Sequence, residues 1–161
     1  MLAPMHVRDA TFEDCDAIGA GMKVVVDEGR WLATEAATEL ELANRFRQVI
    51  LEGDPLLVLE ESGGIIGALG MHSTQSPGVL SLGMWVAPEH RGRGGGRMLI
   101  EAALAARPEH VHKLELEVWP DNEGAIALYR KLGFEEEGLR RDHYRRRDGS
   151  LRSSLIMARL F

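Results

Sequence analysis

The stretch VAPEHRGRGGGRMLI, Val86 to Ile100, sets Arg91, Gly92, Arg93, Gly94, Gly95, Gly96 and Arg97 in seven consecutive positions and then runs into an apolar helical pattern. Glycine is about 1 kcal/mol worse than alanine inside a helix, so three in a row at a helix start imply that something approaches the backbone closely. A helix N-terminus presents unpaired N–H groups and the positive end of its dipole. Glycines let that backbone wrap an anion, so the chemistry that fits is recognition of a phosphate or pyrophosphate. Arg91, Arg93 and Arg97 would add charge around it, and a purely structural turn is the alternative. Two other phosphate motifs are excluded by spacing. A Walker turn ends in Gly-Lys-Ser/Thr, whereas this one ends Gly96-Arg97-Met98. A dinucleotide fingerprint follows the strand of a βαβ unit, whereas the preceding strand here belongs to an antiparallel series.

Other reactive side chains form weaker patterns. His110 and His112 stand close together on an expected loop, which makes a poor zinc site, and no metal is expected. Ser73 and Ser81 have no Ser-His-Asp spacing around them.

The elements that must position the turn can be read from periodicity. His6–Asp9 fits a first strand, and Thr11 three residues before Asp14 fits a capping-box start for a helix carrying Ile18, Met22, Val25 and Val26. Thr38 and Glu41 open a second helix carrying Leu42, Phe46, Val49 and Ile50, which stops at Gly53. Strands at 56–60, 65–72 and 79–86, with turns at Ser62-Gly63-Gly64 and Pro77-Gly78, form an antiparallel meander. A helix follows from Gly94 to Ala106. The segment KLELEVW (113–119) alternates, with Leu114, Leu116 and Val118 on one face and Glu115, Glu117 and Trp119 on the other. A helix from Asn122 to Leu132 closes at Gly133, and Asp148-Gly149 between two strand-like runs signals a terminal hairpin. The expected fold is α/β, a single domain over 1–161, with a mixed, mostly antiparallel sheet of about seven strands flanked by four helices.

Composition narrows the function. The chain has 161 residues, 45% hydrophobic and 27% charged, a globular composition with enough length for a real core. Its net charge of −6 argues against non-specific nucleic-acid binding. Five late arginines, Arg140, Arg141, Arg145, Arg146 and Arg147, read as a solvated strand face or as a contact for an acidic ligand. Cys15 is the single cysteine, so no intramolecular disulfide forms and a reducing compartment is expected. No apolar run approaches the about 18 residues of a membrane span, and the N-terminus lacks a signal-peptide pattern. The expectation is a cytoplasmic protein.

Two motifs carry a specific resemblance. RGRGGG, Arg91 to Gly96, resembles the Arg/Gln-x-x-Gly-x-Gly/Ala motif with which the GNAT superfamily of N-acetyltransferases binds the pyrophosphate of coenzyme A. NEGAIALYRKLGF, Asn122 to Phe134, resembles the second signature of that family, Asn-x-x-Ala-x-x-Leu-Tyr-x-x-x-Gly-Phe, at every fixed position. The order of elements is similar over residues 5–160, although the first 55 match in pattern alone. One departure is Gly95, where the family usually has an aliphatic residue.

The resemblance implies acetyl-CoA as co-substrate and direct attack by an amine. Such a transfer needs a neutral amine, a donor to the carbonyl oxygen and a proton for the departing thiolate. By resemblance Tyr129 is the acid, its alternative being a ring packed in the core. Glu117 matches the base of the ribosomal-protein alanine acetyltransferases, which this chain resembles from Leu116 to Phe134. A solvated carboxylate is its alternative. The strand 79–86 carries no carboxylate, which leaves Glu117, a water relay or His72 as the base. The backbone of Met84, Trp85 and Val86 is the expected partner of the pantetheine arm. Asn122 and Ala125 belong to the cofactor-binding motif, and Asn122 also suits a plain helix cap.

The acceptor is expected between the early helices and the last hairpin. Trp31 would wall an apolar pocket, Glu28 or Glu35 would hold an ammonium, and Arg141 or Arg145 a carboxylate. A small amine or free amino acid is the leading acceptor. A protein N-terminus and a non-catalytic coenzyme A sensor are the competing readings. The resemblance is compatible with a homodimer.

Overall fold

Local signals place the first helices. In the computed structural model, which describes residues 3–161, the Thr38 N–H donates to Glu41 Oε2 at 2.7 Å and the Glu41 N–H donates back to Thr38 Oγ1 at 3.2 Å. That reciprocal cap starts α2 (Glu39–Leu51). Asp14 likewise accepts from the Thr11 N–H at 2.7 Å, closing a 3-10 turn (Phe12–Asp14) ahead of α1 (Cys15–Asp27). Met1 and Leu2, which the expected 1–161 domain includes, lie outside the described residues.

Among the described residues seven strands form one mixed sheet: β1 (Met5–Asp9), β2 (Leu56–Glu61), β3 (Gly64–Ser73), β4 (Val79–Val86), β5 (Lys113–Val118), β6 (Glu135–Arg145) and β7 (Leu151–Leu160). Their order is β1-β2-β3-β4-β5-β7-β6. The remaining helices are α3 (Gly95–Ala106) and α4 (Glu123–Lys131). Seven strands and four helices agree with the fold expected from periodicity. Among the described residues no helix is long and apolar enough to cross a membrane.

The chain divides into two compact units. The first holds the described residues through His72 together with Gly83–Arg107. Its core joins Ile18 and Val25 of α1, Phe46 and Val49 of α2, Val58 of β2 and Trp85 of β4, all at most 9% exposed. Each such side chain contributes roughly 1.5–3 kcal/mol on burial. The Arg8 guanidinium ties β1 to Asp14 and to Glu60 of β2 at 2.8 Å each, and holds the Asp14 carboxyl well below the usual carboxylate range.

The second unit holds Ser73–Leu82 and Pro108–Phe161. Its one parallel ladder covers three pairs, Val79–Lys113, Leu80–Leu114 and Ser81–Glu115. β5 then pairs antiparallel with β7 along its whole length, setting buried Leu116 opposite buried Met157.

Two details sharpen the sequence expectation. Helix α3 begins at Gly95 because Gly94 stands at φ +88°, left-handed backbone that an α-helix does not contain. The last hairpin forms around Asp148-Gly149 as expected, and its loop is longer than two residues. The Arg146 N–H donates to Ser150 O at 2.8 Å, the Gly149 N–H donates to Arg146 O at 2.9 Å, and Gly149 lies at φ +86°. A tight turn followed by a left-handed glycine suits strand twist as well as the shorter turn does.

Candidate active site

Within the first unit a 3-10 turn (Pro88–His90) delivers the chain to Arg91, and the glycine run then separates into distinct tasks. Gly92 and Gly94 adopt φ +72° and +88°, conformations that are costly for residues with a Cβ. Beyond the adjoining residues, no described atom lies within 4 Å of where a Cβ would stand at either position. The first helical bond is Met98 N–H to Gly94 O at 3.0 Å, so the N–H groups of Gly95, Gly96 and Arg97 precede it without an intrahelical acceptor. Gly95 is a different case. A Cβ there would stand 2.5 Å from Cδ2 of fully buried Leu59 on β2, so this glycine lets α3 pack closely on the sheet.

The three arginines of the turn are all engaged by carboxylates. Arg91 grips Glu28 through two bonds of 2.8 and 2.6 Å and donates Nε to Val86 O at 3.0 Å. Arg93 pairs with Glu61, which also lies 3.0 Å from His90 Nδ1, and Arg97 pairs with Glu101 at 2.7 Å. Hydrogen bonds from Arg91 and Arg93 hold the Glu28 and Glu61 carboxyls below their ordinary range. The backbone N–H groups, not free guanidinium charge, are therefore what the turn presents to an anion. Glu28, proposed from sequence for an ammonium, is occupied by Arg91.

The same unit contains a cavity of ≈ 220 Å³. Its floor is apolar: Phe46 and Val49 of α2, Ala68 and Gly70 of β3, and Trp85 of β4. Met84 and His72 also reach it, as does Leu32, whereas Trp31, its neighbour, packs under the Arg30 guanidinium 4.3 Å from its ring centre. Ala68, Gly70 and His72 alternate along β3 and so face one way. Arg45 on α2 was not anticipated as a lining residue; its position one turn before Val49 on the same helix face was the available signal. Val86 ends β4, and Glu35 lies half-buried in the link between α1 and α2.

In the second unit, Glu117 on β5 accepts from Arg140 Nη1 at 2.6 Å through Oε1 and from the Tyr144 hydroxyl at 2.8 Å through Oε2. A bulge arranges this. Between Arg140 and Tyr144 the register advances four positions along β6 against two along β7, from Ser154 to Arg152. Asp142 takes φ +48° within it and donates its N–H to Ser153 Oγ at 3.0 Å. Trp119 is buried, edge-on to Tyr144 at 5.3 Å, with the Arg152 guanidinium 4.7 Å and that of buried Arg146 5.5 Å from its ring. Of the late arginines Arg146 is buried, whereas Arg140, Arg141, Arg145 and Arg147 are exposed, Arg140 being paired there with Glu117.

Tyr129 sits on the buried face of α4, its ring tilted against Phe134 at 6.0 Å. Burial pushes its hydroxyl up to about 12, so the proton stays on at neutral pH. Asn122 caps α4, its Oδ1 accepting from the half-buried Ala125 N–H at 3.3 Å.

The acetyltransferase (GNAT) family model matches residues 24–134. N-alpha-acetyltransferase RimI of Mycobacterium tuberculosis is 49% identical over 61 residues, which span 37% of this chain and 37% of that protein. L-methionine sulfoximine/L-methionine sulfone acetyltransferase of Pseudomonas paraeruginosa is 29% identical over 141 residues, 82% of this chain and 81% of that protein. A phosphinothricin acetyltransferase from Sinorhizobium meliloti, solved in complex with acetyl-CoA, superposes with a TM-score of 0.84 at 24% identity, covering 100% of this chain and 89% of that one. With the family match running over both motifs and most of the chain, this protein belongs to the acetyltransferase (GNAT) family.

Proposed function

We propose that this acetyltransferase moves the acetyl group of acetyl-CoA onto the amine of a small molecule such as an amino acid, with Glu117 as base and Tyr129 as acid, and that residues 1–161 act as a single catalytic domain. The observation that carries the reading is the glycine turn: open space at Gly92 and Gly94 and three consecutive helix-start N–H groups without an intrahelical acceptor. These fit a diphosphate. When bound, acetyl-CoA supplies an acetyl group activated as a thioester.

In this reading the N–H groups of Gly95, Gly96 and Arg97 hold the diphosphate, and Arg91 fixes the turn through Glu28 and Val86. The backbone of Met84, Trp85 and Val86 lies past the last rung of the β4/β5 ladder and pairs with the pantetheine arm. Asn122 and Ala125 contact the cofactor at the start of α4. The buried Tyr129 hydroxyl keeps its proton at neutral pH and gives it to the departing sulfur. Glu117, oriented by Arg140 and Tyr144, accepts the proton of the acceptor's ammonium.

The Pseudomonas relative, similar over 82% of this chain, is named for amino-acid substrates, which supports a small acceptor. A protein N-terminus is the second reading, favoured by 40% identity over 74 residues with the ribosomal protein bS18-alanine N-acetyltransferase of Escherichia coli. A cavity of ≈ 220 Å³ suits a single amino acid better than a peptide. The test joins a calorimetric titration with coenzyme A to a thiol-release assay over amino acids, polyamines and N-terminal peptides. Coenzyme A uptake and turnover with amino acids are expected. Turnover with peptides alone would transfer the assignment to the second reading, and no uptake of coenzyme A would overturn both.

A further inference from the structure

The cavity of the first unit is amphipathic in a way that specifies its occupant. Its floor is buried and apolar, from Phe46, Val49, Ala68 and Trp85, and Gly70 and Gly83 widen it because neither carries a side chain. A Cβ at Gly83 would meet nothing within 4 Å, whereas one at Gly70 would stand 3.3 Å from His72 Nε2, so the imidazole folds back over that glycine. The polar groups among the lining residues are His72 and Arg45, both exposed at the rim, and the buried indole N–H of Trp85, which has no hydrogen-bond partner among the described residues.

Arg45 differs from the other arginine of its own helix and from those of the glycine turn. Arg8, Arg47, Arg91, Arg93 and Arg97 each hold a carboxylate. Arg45 makes one long bond, from Nη1 to Thr34 Oγ1 at 3.4 Å, and among the described residues it forms no ion pair. Glu41, one turn earlier on α2, is held by the backbone and hydroxyl of Thr38. A guanidinium has a fork of donors that matches a carboxylate, and at the rim of an apolar cavity it faces a partly dehydrated partner.

Resting on the acetyltransferase reading above, we propose that the acceptor is an α-amino acid with an apolar side chain, for which methionine serves as the probe, and that Arg45 selects it by pairing with its α-carboxylate. The side chain fills the floor between Phe46 and Trp85, the carboxylate meets Arg45 at the rim, and the amine is left outside the apolar part. A cavity of ≈ 220 Å³ lies below the roughly 300 Å³ at which drug-sized pockets begin. It therefore takes one residue, not an extended peptide. An internal peptide bond has no free α-carboxylate, so Arg45 also discriminates against protein N-termini.

The test compares L-methionine, L-methioninamide and 3-(methylthio)propylamine as acceptors for the full chain with acetyl-CoA, alongside a peptide with a free N-terminus. The wild type prefers L-methionine over both carboxylate-free analogues by roughly 10- to 100-fold in kcat/KM, the range of one charge-assisted hydrogen-bonded pair. Arg45→Gln erases that preference by raising KM for L-methionine while leaving the two analogues unchanged, and Arg45→Lys restores part of it. Equal use of all three small acceptors by the wild type would overturn the assignment of Arg45 and leave the small-amine reading standing. An Arg45→Gln variant that keeps the preference would do the same. Turnover with the peptide alone would overturn both.

Discussion

Replacing Gly95 by alanine separates two accounts of the glycine run. If Gly95 serves flexibility or anion approach, alanine at a helix start should stabilise the fold by a fraction of the about 1 kcal/mol that separates the two residues in helices. The structure predicts the opposite sign. The new Cβ would stand 2.5 Å from Leu59 Cδ2, against the about 3.5–4.0 Å at which carbon pairs attract each other, and Leu59 is fully buried. Relief requires α3 to shift or Leu59 to leave its rotamer, an overpacking cost of about 1–3 kcal/mol. For a chain of this length that lowers Tm by about 3–10 °C. The assay is thermal unfolding of Gly95→Ala, Leu59→Val and the double variant. Trimming Leu59 opens room for the new methyl, so the double variant should be more stable than the sum of the two losses by about 1–2 kcal/mol. A Gly95→Ala protein as stable as the wild type, or strict additivity in the cycle, would refute the packing role.

Tyr129→Phe should lower turnover by about a hundredfold or more with coenzyme A affinity unchanged by calorimetry. The same variant tests burial: the Tyr129 hydroxyl is raised in the fold, so its stabilising effect is complete below about pH 10 and is lost as pH climbs to about 12. The wild type should therefore shed about 3 kcal/mol over that window, a loss absent from the variant in alkaline denaturation curves. Gly94→Val forces a β-branched residue to φ +88° and fills open space at the turn, so coenzyme A affinity should fall at least about tenfold while far-UV circular dichroism still shows a folded chain. Arg8 depresses the Asp14 carboxyl, so the stability it gives is present above about pH 4 and is lost as the medium becomes more acidic. Asp14→Asn should lower Tm by about 3–10 °C at pH 7 and by progressively less as the medium is made more acidic.

What could be read from the sequence follows how local each cause is. The Thr38–Glu41 cap, the alternation of Leu114, Leu116 and Val118, and the fixed positions from Asn122 to Phe134 each express a short-range rule, and the corresponding elements form where expected. The partners of the turn arginines are another matter. Glu28 is 63 residues from Arg91 and Glu61 is 32 from Arg93, so no spacing along the chain links them. Glu117 was identifiable as a carboxylate on an alternating strand, but its grip by Arg140 and Tyr144 depends on a bulge in β6 whose single local sign is Asp142, and one aspartate inside a charged run does not mark a bulge. The cavity escaped because its floor uses core residues. Phe46 and Val49 satisfy the helical pattern whether they meet another side chain or a vacant volume, and only Gly70 and Gly83 hint at missing bulk.

The carboxylates that clamp Arg91, Arg93 and Arg97 also set how a polyanion meets this protein. Three cations cancelled by Glu28, Glu61 and Glu101, on a chain of net charge −6, create no attractive long-range field toward a diphosphate nucleotide. In the proposed reading capture depends on backbone dipoles that act only within the first helical turn, so encounter is unsteered, with rate constants at or below the ordinary range of about 10⁵–10⁷ M⁻¹ s⁻¹ at low salt. Added salt, which slows steered association, would here only screen the repulsion between two anions.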